Sequence, residues 1–143
     1  AEHASLTYNN YGRLLVFKIG GAEELPVPTV RDRSIPAQAN LVASNDQIAA
    51  GELHYNNYCS VCHGLAVRSG GSIPDLRRMT EGTHSAFNQI VQDGLLAANG
   101  MAAFDDVVSD DDTSLIHHYV KARAEQDRLY AAGEVELPQL TWQ

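Results

Sequence analysis

The stretch Cys59-Ser60-Val61-Cys62-His63 decides how the rest of this sequence is read. It holds both cysteines of the chain, three positions apart, with a histidine directly after the second. Cys-x-x-Cys-His is the pattern of covalent haem c attachment. The spacing has a mechanical reason. At the end of a helix, two thiols three residues apart reach the two vinyl-derived carbons on one porphyrin edge. The adjacent imidazole then swings under the ring toward the iron. Two rival readings are open to a Cys-x-x-Cys pair. A thioredoxin-like redox pair follows a strand in a βαβ unit, whereas here the motif closes a helical pattern. A structural zinc site takes four ligands; no second cysteine pair exists, and nothing in the spacing of His54, His84, His117 and His118 supplies a replacement.

Upstream of the motif the pattern is helical. Ser44 with Gln47 three residues later forms a capping box, and Ile48, Gly51, Tyr55, Cys59 and Cys62 fall at helical spacing on one face. Downstream, a helix is expected from about Ser85 to Asp93, with Phe87, Ile90 and Val91 inward and Gly94 as its stop. Ser109 followed by Asp110, Asp111 and Asp112 marks a third start, because carboxylates favour a helix N-terminus. Leu115, Ile116, Tyr119 and Val120 give that helix its apolar face, and Gly133 its end. The stretches 64–82 and 94–108 read as irregular connections.

The sixth position of a haem iron decides what the haem does. The chain has two methionines, Met79 and Met101. Met101 follows Gly100 in a loop between the second and third helices, where glycine lets the backbone approach the ring and Phe104 packs beside it. Met79 sits among arginines nearer the motif and reads as core filler. His63 and Met101 are thus the expected iron ligands. A thioether opposite histidine favours the reduced iron and closes the site to small exogenous molecules, which points to a relay and not a catalyst. Pro74 is placed to offer its carbonyl to the Nδ1–H of His63, with a plain turn proline as the alternative. Arg68, Arg77 and Arg78 are the nearest basic residues, and Arg68 and Arg77 are candidates to pair with haem propionates, with exposed, unpaired arginines as the alternative. The remaining histidines read as ordinary; of His117 and His118, at most one faces inward.

Residues 1–43 differ from the rest. Arg13-Leu14-Leu15-Val16-Phe17-Lys18-Ile19 is β-branched and aromatic-rich and ends at Gly20-Gly21, the pattern of one strand. Pro26, Pro28 and Pro36 then make an extended linker. A single strand is not stable alone, so it packs on the following unit or belongs to a sheet elsewhere. The expected organisation is an N-terminal strand and linker over 1–43 and an all-α unit over 44–143.

Bulk properties narrow the function further. The 143 residues are 44% hydrophobic and 20% charged, typical of a globular domain with a real core. No apolar run reaches the roughly eighteen residues of a membrane span. The formal charge of −8 and pI near 5.0 oppose nucleic acid and anionic membranes as partners and permit a basic protein. Ala1-Glu2-His3-Ala4 is not a signal sequence, so any leader has been removed or the chain is a piece of a longer protein.

Taken together, Gly51-x-x-x-Tyr55, Cys59 through Gly64, Gly100-Met101 and a terminal helix with Tyr119 resemble class I cytochromes c. That resemblance implies three to five short helices around one covalent haem, with Gly51 and Tyr55 crossing the last helix near Tyr119. The segment Gly12 to Gly21, the proline linker and Pro74-Asp75-Leu76-Arg77 further resemble the C-terminal end of quinohaemoprotein alcohol dehydrogenases. In that group a β-propeller carries pyrroloquinoline quinone (PQQ) and calcium, and a C-terminal cytochrome passes electrons from the quinone to an external acceptor. The resemblance implies that residues 1–43 are the last propeller strand and linker, and that the partners are a PQQ dehydrogenase domain and a redox-protein acceptor. It also implies a periplasmic location, since haem is attached through thioethers outside the cytoplasm. Two departures stand out: Ala102 follows Met101 where the family often has proline, and no propeller is present. The alternatives left open are a free-standing diffusible cytochrome, a haem enzyme or sensor with an open iron site, and a thiol oxidoreductase.

Overall fold

The computed structural model describes residues 14, 16–24, 32, 34–38, 41–69 and 73–135, and among these the regular structure is entirely helical. The first helix, α1 (Asn45–Tyr58), starts at the expected capping box: Gln47 N donates to Ser44 Oγ at 3.2 Å and Ser44 N to Gln47 Oε1 at 2.8 Å. A single turn, α2 (Ser60–His63), follows it. Two short helices, α3 (Glu81–Ser85) and α4 (Phe87–Val91), meet at Ala86. The long α5 (Asp110–Ala131) closes the unit. Three 3₁₀ turns, Leu65–Val67, Leu76–Arg78 and Ala97–Asn99, punctuate the connections.

The two long helices organise the core by crossing at Gly51. A Cβ there would lie 2.0 Å from the Leu115 carbonyl oxygen, so only glycine permits this approach. Beside the crossing the Tyr55 and Tyr119 rings pack at 5.3 Å, tilted by 51°, a favourable aromatic geometry. Both rings are almost completely buried, and each hydroxyl finds an acceptor: Tyr55 donates to the Gly64 carbonyl at 2.8 Å and Tyr119 to Glu52 at 3.3 Å. Val67, Met79, Phe87, Val91, Val108, Ile116 and Val120 complete the core, with Ile48, Leu76 and Phe104 packed against it.

The start of α5 is capped as its aspartates predict. Asp112 N donates to Ser109 Oγ at 3.1 Å and Ser109 N to Asp112 Oδ2 at 3.2 Å. Its end uses Gly133 at φ +73°, with Glu134 N reaching back to the Leu129 carbonyl at 2.9 Å.

The expected second helix is shorter than anticipated, and α3 before it lies in a stretch read as irregular. Thr80 starts α3 by accepting from Thr83 N at 3.2 Å, a cap with no apolar periodicity behind it. The strand expected over 13–19 is not formed at its described positions. Leu14, Val16, Phe17 and Ile19 are all more than four-fifths exposed, and an isolated strand has no ladder partner here. Arg13, Leu15, Pro26 and Pro28 lie outside the described residues. Part of the linker is docked: Arg78 donates to the carbonyls of Ser34 and Asp32, and Gln38 N donates to Glu125 at 3.3 Å.

Candidate functional site

The helix that begins at Ser44 delivers the motif. Cys59 caps α1, its N–H donating to the Tyr55 carbonyl at 2.8 Å, and α2 carries Cys62 and His63 through one more turn. Three- and four-residue separations put Cys59, Cys62 and His63 on neighbouring positions of one helical surface. Gly64 then leaves the helix at φ +84°, and a Cβ there would strike the Arg68 carbonyl oxygen at 2.1 Å. Ala66 and Val67 continue through positive φ, 53° and 64°. For a β-branched residue this is a strained conformation held by its surroundings, and Val67 is wholly buried.

His63 is largely buried, and its Nδ1 lies 3.3 Å from the Pro74 carbonyl oxygen. A carbonyl accepts only, so the proton sits on Nδ1 and the Nε2 lone pair is free for a metal. Burial lowers the His63 pKa below its ordinary value, and the Pro74 hydrogen bond only partly opposes this. The imidazole is therefore neutral at pH 7, as a ligand must be. Cys59 is partly buried and Cys62 exposed. Burial, with the neighbouring Cys62, pushes the Cys59 thiol up to about 11, opposite to the lowered pKa of reactive redox cysteines. Among the described residues no group of three or more His, Cys, Asp or Glu side chains converges as a metal site. Two thiols at this spacing beside a neutral histidine with a free Nε2 fit haem c as the group to be held.

The two methionines occupy different places. Met79 is buried in the core, while Met101 lies in the loop after Ala97–Asn99, partly buried against the core edge with Phe104. Gly100 takes the left-handed conformation, φ +94°, that closes the preceding turn. The loop is tied down by Phe104 N to the Val91 carbonyl at 2.8 Å, and by Gln92 Nε2 to the Val108 carbonyl at 2.9 Å and to Thr113 Oγ1 at 2.6 Å.

Arg68 and Arg77 have protein carboxylates as partners. Arg68 grips Asp127 with two nitrogens, at 3.1 and 2.7 Å. Arg77 donates Nη1 to Asp127 at 2.8 Å, and Nε and Nη2 to Asp75 at 2.9 and 2.7 Å. The Asp127 side chain is completely inaccessible to solvent. Burial would raise its pKa, but hydrogen bonds from Arg68 and Arg77 outweigh this and hold it below the ordinary carboxylate value. Asp127 is not among the site residues expected from the sequence, although a signal for it is present there. Asp127 continues the spacing Ile116, Val120, Ala124 on the buried face of α5, where an acid demands a partner. Of the paired histidines, His117 is the one turned inward. Its ring stacks on Phe87 at 4.2 Å, and its Nε2 meets His84 Nδ1 at 2.9 Å.

The family model of cytochrome c oxidase, cbb3-type, subunit III, matches residues 46–120, a span that includes the cysteine motif and Met101. Among curated proteins, the chain is 40% identical over 82% of its length to quinohemoprotein alcohol dehydrogenase ADH IIB of Pseudomonas putida. It is 38% identical over 80% of its length to ADH-IIG of the same organism. A solved structure of the quinohemoprotein alcohol dehydrogenase ADHIIG from Pseudomonas putida HK5 superposes with a TM-score of 0.63 at 35% identity, covering 82% of this chain and 16% of that one. The chain spans only 17% and 16% of the two curated relatives. With the family model covering more than half of its residues, the motif seated at a helix end and the fold shared, this chain belongs to the c-type cytochrome family described by the cbb3-type subunit III model.

Proposed function

We propose that this cytochrome c domain is the single-electron relay of a periplasmic PQQ-dependent dehydrogenase, taking electrons from a quinone-bearing domain and passing them to a redox-protein acceptor. PQQ and calcium belong to that catalytic part, and the oxidised substrate is set there. The observation that carries the relay is the seating of the motif: Cys59 and Cys62 one turn apart, and His63 held through Nδ1 by the Pro74 carbonyl at 3.3 Å. Bound haem c supplies a one-electron couple at its iron. Cys59 and Cys62 would hold that group covalently through thioethers, on a helix end that is itself fixed in the fold. His63 offers Nε2 to the iron, and Pro74 fixes the plane of that imidazole. Met101, on a loop anchored at Phe104 and Gln92, would supply a thioether as the second iron ligand and so close the site to exogenous molecules. Residues 1–43 are the tail of the upstream domain and the linker. Similarity to two quinohemoprotein alcohol dehydrogenases over four-fifths of the chain, including part of that linker, supports the dehydrogenase as donor. A net charge of −8, before any propionate is counted, favours a basic acceptor.

Visible spectra of the haem-loaded protein test the relay. The ferric form is expected to show the weak red-end band of sulfur bound to haem iron, lost in Met101→Ala and kept in Met79→Ala. A ferric spectrum without that band, together with ready binding of cyanide, refutes the closed-site relay.

A further inference from the structure

We propose that Asp127 is a positioning residue for His63, acting through Arg77 and Asp75 on the Pro74 carbonyl; this rests on the reading of His63 as the haem ligand. The chain of contacts is continuous. Asp127, on the buried face of α5, accepts from Arg77 Nη1 at 2.8 Å. The other side of the same guanidinium grips Asp75 at 2.9 and 2.7 Å, and the backbone N–H of Arg77 donates to Asp75 Oδ1 at 3.1 Å. Asp75 shares a peptide with Pro74, whose carbonyl meets His63 Nδ1 at 3.3 Å. A second arm secures the other end of the same loop. Arg68, five residues past His63, donates to both Asp127 oxygens at 3.1 and 2.7 Å. One carboxylate on the last helix therefore pins both ends of the segment that carries the histidine's acceptor.

Stability alone does not account for such a site. Replacing a buried ion pair by apolar side chains is often neutral or better, so a fold needing only cohesion has simpler solutions. What planar guanidinium forks add is direction. Each nitrogen–oxygen pair sets an angle as well as a distance, and here the angles end on the peptide that orients the imidazole. Outer partners of this kind tune a ligand's orientation and basicity. The charges balance locally, Asp127 and Asp75 against Arg68 and Arg77, while Arg123 approaches Asp127 more distantly, at 3.5 Å.

The test uses the haem-loaded chain in its reduced form and follows proton exchange at His63 Nδ1 by nuclear magnetic resonance, together with the reduction potential. Asp127→Asn keeps the shape and removes the charge. Arg77→Gln leaves Arg68 on Asp127 and cuts only the arm toward Pro74, so it decides the matter should Asp127→Asn fail to fold. Both variants are expected to speed His63 Nδ1 exchange by about tenfold and to shift the potential in the same direction. Val120→Ala, a core truncation on the same helix, and Arg123→Ala are expected to leave both readouts in place. Equal exchange in Arg77→Gln and Val120→Ala, with the haem spectrum intact, overturns the positioning role alone. Failure of the unaltered chain to hold haem at Cys59 and Cys62 overturns the underlying reading with it.

Discussion

Gly51→Ala places one methyl group at the tightest point of the molecule. The added carbon would lie 2.0 Å from the Leu115 carbonyl oxygen, 2.6 Å from its carbon and 3.0 Å from Tyr119 Cβ. A carbon–oxygen contact settles near 3.3 Å, so α1 and α5 must part by about 1.3 Å at their crossing. The obstacle is backbone on a long helix and cannot rotate away, which puts the penalty at the upper end of overpacking, about 3 kcal/mol. Parting the helices also loosens the Tyr55–Tyr119 contact, roughly 1 kcal/mol, while alanine's better helix propensity returns about as much. The net loss is about 3 kcal/mol. For a unit of roughly one hundred residues that lowers the thermal midpoint by about 12–24 °C. Far-UV circular dichroism melts of the haem-loaded protein measure it. Gly82→Ala is the control, because its Cβ meets nothing closer than Thr80 Oγ1 at 3.8 Å, and it should melt at or slightly above the parent. A Gly51→Ala protein melting within about 2 °C of the parent refutes the close-crossing argument.

The His84–His117 contact makes stability depend on acid. Burial, with His84, Lys121 and His118 nearby, holds His117 down at about 4 from an ordinary 6.5. The unfolded chain thus takes a proton that the folded one refuses. Stability is full above pH 6.5 and falls as pH drops toward 4, by about 1–2 kcal/mol after allowing for solvent at this half-buried ring. Urea titrations at pH 7 and pH 5 should show the loss in the parent and a much smaller one in His117→Phe; parallel behaviour of the two refutes the assignment. Ser109→Ala removes the capping oxygen of α5 and should cost about 1 kcal/mol in the same assay, whereas Ser114→Ala, further into the helix and exposed, should lie within about 0.5 kcal/mol of the parent.

Local signals carried the sequence reading furthest. The capping box at Ser44, the aspartates after Ser109 and the apolar spacing of α1 and α5 are short-range patterns, and both helices begin where those residues say. The expectation that Gly51 and Tyr55 meet the last helix near Tyr119, drawn from the family resemblance, agrees with the crossing at Leu115 and Tyr119. Pairings over long separations were less legible. Arg68 and Arg77 read as candidate propionate partners; the carboxylate they grip in the fold, Asp127, is 59 and 50 residues away from them, and only packing brings it close. The inward turn of His117 needed Phe87 and His84 for its reason. At Met101 the local signal was the glycine before it, and Gly100 does take the left-handed conformation there.

The docking of Asp32, Ser34 and Gln38 changes what the linker can be. Extended in solvent, the thirteen residues from Asp32 to Ser44 would give a leash of about 40 Å and let whatever precedes them wander. Fastened to Arg78 and Glu125, that leash is reeled in, and the effective point of attachment moves from the start of α1 to the surface beside the Leu76–Arg78 turn. The donor domain proposed above would then be held close to one face of the cytochrome, at a correspondingly high local concentration. Loosening Arg78 would lengthen the tether without adding a residue and so change how often the proposed donor domain meets the haem.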